Sequence, residues 1–518
     1  MVSTFMKLRS NILKLALFAT GLSGIVAEYI LSTLATYFLG DSVFQWTMIV
    51  SIMLFSMGLG SRISKSIKSN LLEKFITIEF ILSVLSAFVS VITYSASAYY
   101  GYVGFVIYGL SVIIGLLIGM EIPIVIRLND EFENLRVNVS TVMEKDYYGS
   151  LLGGVFFAFI GLPYLGLTYT PFILGTINFL VAIGLYIMLR NVVDSRLRTK
   201  LNLSSLGVLV LLVVGVFLAK PIISYGEQSR YKDRVIYEEQ TKYQKITITR
   251  SEDGYWLFIN GNQQLSSIDE VRYHEPLVHP AMRLSKNPVN ILVMGGGDGG
   301  AVREILKYSS VEDITLVDLD PAMTKLGQTY PWLISMNNNA MNDEKLSITN
   351  QDGFTYLTDD KKFYDVIIID LPDPKTVELG RLYSYEFYKL CYNRLRPNGV
   401  VITQAGSPYY AARAFNCINY TMAEAGFYTI PLHNQVVTLG EWGWVLGSKS
   451  IPKEQLKPAL ESLTFDDIKT EWINNNAMIL ITSFGKKVFP GDNAKVEVNR
   501  IHNPVLYKYY LDGKWDLY

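Results

Sequence analysis

The chain has 518 residues, half of them hydrophobic and only 18% charged, with 46 basic against 47 acidic residues and a formal net charge of −1. This balance excludes a disordered chain and a chain that binds nucleic acid through a basic excess. Two cysteines, Cys391 and Cys417, are too few for a disulfide framework, and with only four histidines we expect no metal site.

Charged residues are distributed unevenly. Residues 1–223 hold 26 of them, and residues 224–518 hold 67. Soluble domains have about 25% charged residues. The low charged fraction of residues 1–223 therefore predicts a membrane domain, and the higher charged fraction of residues 224–518 predicts a soluble one. We expect an α-helical transmembrane domain of about seven helices at 1–223, a small antiparallel β domain at 224–288 and an α/β domain at 289–518.

The first part contains long apolar segments. A transmembrane helix needs about 20 apolar residues, and the lipid bilayer is therefore a predicted partner. Three carboxyl groups, Glu28, Glu79 and Glu121, fall within these segments or at their ends. They are either interfacial or mutually satisfied, or they line a path for a cation or an amine. The seven candidate spans are residues 12–39, 44–61, 75–96, 101–122, 149–167, 171–189 and 204–220.

Basic residues mark alternate connections between these spans. By the positive-inside rule, the N-terminus and the basic connections face the cytoplasm. With seven full spans, the rest of the chain would then lie outside. The basic residues are Lys7, Arg9 and Lys14, then Arg62, Lys65, Lys68 and Lys74, then Arg127, Arg136 and Lys145, then Arg190, Arg196, Arg198 and Lys200.

The second part begins with strand signals. Residues 234–250 and 255–259 are rich in β-branched and aromatic residues, and Asn260-Gly261 is typical of a hairpin turn. From residue 289, apolar runs alternate with helical stretches, which predicts a parallel, doubly wound, Rossmann-like (methyltransferase-type) sheet. The apolar runs are 289–294, 314–317, 346–349, 366–369 and 400–403.

Acidic residues follow several of these runs, at the ends where such sheets bind ligands. Gly295–Gly300 matches G-x-G-x-x-G between a strand and a helix, and Asp318 is placed to accept ribose hydroxyls. Asp298 within the loop would repel a pyrophosphate and attract a cation, which favours an adenosyl sulfonium over a dinucleotide. Asp370 and Asp373 suit a polycationic amine, although Asp and Pro are also ordinary turn residues.

Five short motifs occur together in the second part of the chain. They are Tyr243-Gln244, 260–264 (NGNQQ), 269–275 (DEVRYHE), 295–300 (GGGDGG) and 370–374 (DLPDP). In these motifs the chain resembles the polyamine aminopropyltransferase (spermidine synthase) family, and in particular its membrane-anchored branch. The specific likeness covers about residues 237–450.

The resemblance implies transfer of an aminopropyl group from decarboxylated S-adenosylmethionine to putrescine or a related amine. It implies no metal and no permanently bound cofactor, and it implies a homo-oligomer. Asp370 matches the family's general base, and Tyr273 and Asp373 match positions around the amine. His274 and Asp298 match positions that hold the polyamine or aminopropyl end. Contacts to the donor are matched by Gln244, Gln264, Asp318, Asp352 and Gly353.

Some positions depart from the family pattern. Leu371-Pro372 stand where the family often has Ser or Thr, and Val437 stands where soluble members have a tyrosine. Glu441 stands where a glutamine is usual. We hypothesise that Glu441 anchors the distal amine, in which case Glu441→Gln raises the KM for the amine alone.

Two other functions share part of this pattern. An S-adenosylmethionine-dependent methyltransferase would have the same sheet and glycine loop, and a polyamine sensor or transporter would bind amines without turnover. The expected location is the cell membrane. A cytosolic donor places the catalytic domain in the cytoplasm, whereas the basic connections with seven spans place it outside.

Overall fold

The computed structural model describes residues 2–40, 42–99, 102–130, 134–190, 193, 195–485 and 496–515. The chain divides into two compact units, Met1–Arg234 and Val235–Tyr518. The first is helical, and the second contains both β-sheets.

Long helices make up the first unit. Six helical stretches within the described residues are long and apolar enough to cross a membrane. The last of them runs on to Gln228, a few residues beyond the predicted limit at 223. The helices are α1 (Val2–Leu39), α2 (Ser42–Ser64), α3 (Leu71–Tyr99), α4 (Val103–Asn129), α5 (Leu135–Phe156), a π-helical segment (Phe157–Leu165), α6 (Gly166–Leu189) and α7 (Ser195–Gln228).

The fifth apolar stretch reverses direction. Leu135–Leu189 has 55 residues, far more than one span needs. Thr170 Oγ1 donates a 2.8 Å hydrogen bond to the carbonyl of Gly161. Nine residues of straight helix would separate these groups by about 13 Å, so the chain turns back between them. Gly166 lies in this turn with φ +60° and ψ −170°, a combination closed to other residues. This stretch therefore consists of two helical segments, α5 and α6, joined by a turn.

The second unit contains two sheets. The smaller has the order β1-β2-β3-β4, with β2, β3 and β4 antiparallel. Its apolar side packs against Met323 and Trp332 of the α/β part. The β3–β4 hairpin turns at Asn260-Gly261, both with positive φ, as the sequence predicts. The strands are β1 (Arg234–Gln240), β2 (Lys245–Arg250), β3 (Tyr255–Ile259) and β4 (Asn262–Ser266).

The larger sheet has seven strands in the order β10-β11-β9-β8-β5-β6-β7. Five neighbouring strands are parallel, and β11 and β10 add antiparallel pairs at one edge. This is the predicted Rossmann-like sheet. The strands are β5 (Asn290–Gly295), β6 (Asp313–Asp318), β7 (Leu346–Asn350), β8 (Tyr364–Asp370), β9 (Leu395–Gly406), β10 (Tyr428–Val436) and β11 (Gly440–Ser448).

Helices cover both faces of this sheet. Strands β5 and β8 lie at its centre, and their apolar residues are fully buried between two hydrophobic clusters. The helices are α8 (Val271–Leu284), α9 (Gly300–Ile305), α10 (Pro321–Thr329), α11 (Pro331–Met336), α12 (Gly353–Asp359), α13 (Val377–Gly380), α14 (Tyr385–Arg394), α15 (Ala412–Glu424), α16 (Lys453–Glu461), α17 (Asn475–Ile481) and α18 (Leu506–Leu511).

The strand register brings the acidic residues to one edge. Gly295 at the end of β5 is paired with Asp370 at the end of β8, and β6 ends at Asp318 on the other side of β5. Because these strands are parallel, all three residues lie at the carboxyl edge, where ligands bind in such sheets.

Candidate active site

The glycine loop begins directly against strand β8. Gly295 and Gly296 have φ of +82° and +66°, and a Cβ on Gly295 would lie 2.1 Å from the carbonyl oxygen of Asp370. The amide of Gly296 donates a 3.1 Å hydrogen bond to that same oxygen. No side chain fits here, so glycine is required for the loop to reach the end of β8.

Three side chains from different elements meet beside this loop. One ring nitrogen of His274 and one carboxylate oxygen each of Asp298 and Asp370 lie within 4.8 Å of one another. Asp298 is fixed by a 2.8 Å hydrogen bond from the amide of Gly300, and its Oδ1 lies 3.6 Å from His274 Nε2. Two carboxylates therefore face one small volume.

Asp370 is held between groups with opposite effects on its pKa. Tyr273, in the first turn of α8, donates its phenol to Asp370 Oδ1 at 2.6 Å. Burial and the charge of Asp298 raise the pKa of Asp370 to about 6, against the opposing effects of His274 and Tyr273. A carboxylate with this pKa is ionised at neutral pH and is a stronger base than an ordinary aspartate.

His274 belongs to a buried ionic network. Its Nδ1 is 2.7 Å from Glu270 Oε2, and Arg303 donates to both oxygens of Glu270 at 2.7 and 2.9 Å. Burial alone would lower the pKa of His274, but the Glu270 hydrogen bond and the charges of Asp298 and Asp370 raise it to about 9. A protonated imidazole cannot ligate a metal, so the His274, Asp298 and Asp370 cluster suits an organic cation better than a metal ion.

A second cluster with metal-ligand residue types joins α8, which carries Glu275 and His279, to α9, which carries Glu304. His279 contacts Glu304 at 2.8 Å through Nε2 and Tyr308 at 2.8 Å through Nδ1. Glu275 accepts hydrogen bonds from three consecutive backbone amides, those of residues 471–473. These groups are already engaged within the protein, which makes the cluster structural.

The loop after β8 is held from several sides. Tyr510, in the C-terminal helix α18, donates a 2.6 Å hydrogen bond to Asp373 Oδ2. The phenol of Tyr383 donates to the carbonyls of residues 371 and 372. Gln404, at the end of β9, donates to residue 371 and to the Tyr383 phenol, both at 2.7 Å.

A lysine also lies near this loop. Lys375 Nζ lies 3.9 Å from Asp373, and burial lowers the pKa of this lysine.

Residues predicted to contact the nucleoside lie around β6 and β7. Burial raises the pKa of Asp318 to about 6. Asp352 caps α12, where it accepts the amide of Thr355 at 2.9 Å, and Gly353 is the first residue of that helix. The carbonyl of Gln244 accepts the amide of Thr241 in the β1–β2 loop. This loop is tied to the end of β6, because Thr241 donates to Asp320 at 2.8 Å.

Two predicted residues are engaged away from the carboxylate group. The side-chain amide of Gln264 donates to the carbonyls of Asn262 and Gln263 in its own strand, β4, at 3.2 Å. Among the described residues the amide nitrogen of Gln263 is buried without a partner. Glu441 pairs with His433, whose other ring nitrogen is 2.9 Å from the carbonyl of Ser483. No described contact links Glu441 with Asp370 or Asp373.

Sequence reasoning missed several of these residues. Glu270 lies inside the motif at 269–275, but its partner Arg303 is 33 positions away and belongs to no recognised motif. Tyr510 lies in the tail, whose role the sequence leaves open. Tyr383 and Gln404 are ordinary residues of a helical turn and a strand end. Three-dimensional contact alone identifies them.

The geometry can accommodate an organic cation between two carboxylates and accept a proton from it. Residues 270–457 match the spermine/spermidine synthase domain. Polyamine aminopropyltransferase 2 of Aquifex aeolicus is 40% identical to this chain, over 97% of this chain and 98% of that protein. The polyamine aminopropyltransferase of Oceanobacillus iheyensis is 37% identical, over 96% of each. A crystal structure of spermidine synthase with the transition-state analogue AdoDATO aligns at a TM-score of 0.45 and 29% identity, over 49% of this chain and 86% of that one. Because the likeness to curated relatives extends over nearly the full length, this chain belongs to the polyamine aminopropyltransferase family.

Proposed function

We propose that Asp370 is the general base of an aminopropyl transfer. The chain is an enzyme that transfers the aminopropyl group of decarboxylated S-adenosylmethionine to an amine such as putrescine, which gives spermidine and methylthioadenosine. The amine nitrogen forms a bond to the methylene carbon as the carbon–sulfur bond breaks. Sulfur leaves as a neutral thioether, and the proton lost by nitrogen passes to Asp370.

The pKa of Asp370 bears directly on this step. An alkylammonium has a pKa near ~10.4 and an ordinary aspartate one near ~3.9, so the proton transfer is uphill by about 9 kcal/mol. With Asp370 at about 6, the mismatch falls to about 6 kcal/mol, a gain of about 3 kcal/mol. Bond formation to carbon acidifies the nitrogen and supplies the remainder.

The other site residues divide between donor and acceptor. The loop carboxylate of Asp298 faces the positively charged sulfur end of the donor. The nucleoside of the donor is bound by Gln244, Asp318, Asp352 and Gly353, and Gln264 lies near the donor. Gln263 joins this set as a proposal, because its buried amide lacks a partner among the described residues.

Tyr273, His274 and Asp373 surround the amine. The contact of Tyr273 with Asp370 orients one carboxylate oxygen and leaves Oδ2 free toward the loop, 3.2 Å from where a Cβ on Gly296 would lie. Glu441 remains a proposed anchor for the distal amine. Its pairing with His433 is a second, structural role, which an experiment must separate from amine binding.

The convergence of Asp298, Asp370 and His274 within 4.8 Å is the observation that carries this proposal. The purified full-length chain is incubated with putrescine and either decarboxylated or ordinary S-adenosylmethionine, and both nucleoside products are measured. We expect methylthioadenosine from the decarboxylated donor and no adenosylhomocysteine. Adenosylhomocysteine would identify a methyltransferase, and amine binding without either product would identify a sensor or transporter.

Asp370→Asn tests the base separately. General-base catalysis contributes about 10²- to 10⁴-fold in rate, so we expect a loss of this size with donor binding retained. Asp360→Asn, which removes the acid at the C-terminal end of α12, is the matched control.

We infer that the helical unit is a multi-pass domain of the cell membrane. Arg127 donates to the carbonyls of Ser64 and Ile67, which joins two basic connections at one end of the unit. Tyr37 hydrogen-bonds Glu227 at the other end, where α1 finishes and α7 leaves the unit.

The chain thus leaves the helical unit at the end where the connections at 40–43, 97–100 and 168–170 hold no basic residue, although the exit itself carries Arg230, Lys232 and Arg234. With the basic end in the cytoplasm, this favours the second placement that the sequence left open, with the C-terminus outside. A topology reporter fused after Tyr518 would then be active on the outer side only. Activity on the cytoplasmic side alone would reverse this inference and agree with the cytosolic supply of the donor.

A homo-oligomer is the remaining proposal, and it rests on family resemblance. Light scattering on the detergent-solubilised chain gives the protein mass directly. A protein mass near 58.5 kDa would mean a monomer.

A further inference from the structure

Two completely buried carboxyl groups lie on neighbouring helices of the first unit. Glu79 on α3 and Glu121 on α4 each have 0% exposure. Thr20 on α1 donates a 3.1 Å hydrogen bond to Glu79 Oε1, and Glu121 lies within electrostatic range of Glu79. Three helices therefore bring two acids and a hydroxyl together.

These acids lack donors for most of their oxygens. Within the described residues, Glu79 Oε2 and both oxygens of Glu121 are buried without a hydrogen-bond partner. No described lysine or arginine forms an ion pair with either residue. On α1, one turn from Thr20, Ser23 does find a partner by donating to Asn178 Oδ1 at 2.7 Å. Elsewhere in the described part of the unit, the single hydroxyls of Ser32, Ser56 and Ser90 also lack a partner, but no other place brings two unpartnered acids together. Since buried polar groups are nearly always satisfied, three free acceptors in one place point to a missing donor.

The required donor is a small cation with several N–H groups. A protonated primary amine carries three donors, as the lysine ammonium does, and three acceptors are free here. Calcium needs six to eight oxygen ligands and magnesium a near-ideal octahedron, which two carboxylates and one hydroxyl do not supply. The donor set therefore matches an alkylammonium group.

A third acid lies close enough to hold a second ammonium. Asp146 on α5 is within electrostatic range of Glu121. It packs against α1, where a Cβ on Gly21 would lie 2.9 Å from Asp146 Oδ1. Unlike the other two acids, Asp146 is partly exposed. A diamine could thus place one end between Glu79 and Glu121 and the other at Asp146.

We propose that Glu79, Glu121 and Asp146 form a diamine-binding site within the helical unit, separate from the catalytic site. The ligand is the class of amine that the reaction handles, so the inference rests on the proposed function. The helical unit would then bind polyamines in its own right rather than serve only as an anchor.

The test measures amine binding with the catalytic site blocked. Full-length protein in detergent is saturated with a multisubstrate analogue that joins an adenosyl group to an amine, and binding of radiolabelled putrescine is followed by equilibrium dialysis. We expect about one equivalent to remain bound to the wild type. Glu79→Gln and Glu121→Gln should weaken this binding at least tenfold. Glu144→Gln, which removes an exposed acid of α5, should leave it unchanged.

Asp146→Asn tests the second anchor. It should weaken putrescine several-fold and leave propylamine, which has one ammonium, unaffected. Blocked wild-type protein that binds no putrescine would overturn the inference. Turnover is measured on the same preparation before the analogue is added, which separates that result from a failure of the proposed function.

A second test uses only the wild-type protein, so it remains valid if the substituted proteins do not fold. Dicyclohexylcarbodiimide modifies protonated carboxyl groups in apolar surroundings, and mass spectrometry locates the modified residue. With the catalytic site blocked, putrescine should slow labelling of Glu79 and Glu121 at least threefold, and sodium chloride of equal ionic strength should not. Protection by sodium alone, or none by putrescine, would contradict an amine site.

Discussion

The phenol of Tyr273 donates a 2.6 Å hydrogen bond to Asp370 Oδ1 across 97 positions of sequence. The bond stabilises the ionised carboxylate and lowers its pKa, whereas burial and the nearby charge of Asp298 raise it. The basicity of Asp370 is therefore set by opposing groups that can be changed one at a time.

The pH dependence of turnover should report this balance. The reaction needs Asp370 ionised, so kcat/KM should rise with pH through an apparent pKa of about 6 and then level off until other groups titrate. A profile for the purified enzyme measured from pH 4.5 to 8 at constant ionic strength gives this value. An acid limb centred near pH 4 would mean that Asp370 is not perturbed as proposed.

Substitutions of the two neighbours should move the acid limb in opposite directions. Tyr273→Phe removes a hydrogen bond that favours the ionised form, so the limb should move to higher pH. Asp298→Asn removes a negative charge that disfavours it, and its amide oxygen can still accept the Gly300 amide, so the limb should move to lower pH. Shifts in the same direction would show that structural damage, not electrostatics, controls the profile.

The sequence alone predicts that the acidic residues of the site converge, because this prediction requires only that the strands be parallel. Asp318 and Asp370 each end a predicted strand, and parallel strands share their carboxyl edge. The glycine loop adds Asp298 through a local motif. Tyr273 on α8 is predicted only from the family resemblance, because the local sequence of α8 does not indicate that this helix faces the edge of the sheet.

Other contacts depend on features that no local pattern encodes. A β-bulge shifts the β3–β4 register between Leu257 and Phe258. One extra residue in a strand redirects the side chains that follow, which explains why the Gln264 amide bonds within its own strand while the side-chain nitrogen of Gln263 points inward. The Tyr510 to Asp373 bond spans 137 positions and depends on how the tail folds back.

His274 should make stability depend on alkaline pH. Its pKa is raised to about 9 from an unfolded value near ~6.5, so its contribution is fully present below pH 6.5 and is lost as pH rises through 9. The 2.5-unit difference corresponds to at most about 3 kcal/mol. The melting temperature of the wild type should fall from pH 7 to pH 10. His274→Gln should start lower and fall less, and equal falls in both proteins would exclude His274 as the source.

The C-terminal tail should act on the amine through Asp373. Tyr510→Phe removes the 2.6 Å hydrogen bond to Asp373 Oδ2 but keeps the ring and its packing. Hydrogen bonds to charged groups are worth about 1.5–3 kcal/mol, so we expect the KM for putrescine to rise about tenfold or more. The KM for the donor should stay within twofold, and Tyr507→Phe in the same helix is the control. A rise in the donor KM alone would remove Asp373 from the amine site.

Glu441 has two possible roles that kinetics can separate. As an anchor for the distal amine, its replacement in Glu441→Gln should raise the KM for putrescine roughly tenfold, about 1.4 kcal/mol, and leave the donor KM unchanged. As a partner of His433 only, it should affect stability and neither KM. His433→Gln provides the comparison, because it breaks the pair and keeps the carboxylate. If both variants lower the melting temperature equally and neither changes the putrescine KM, Glu441 supports the β10–β11 edge and takes no part in binding the amine.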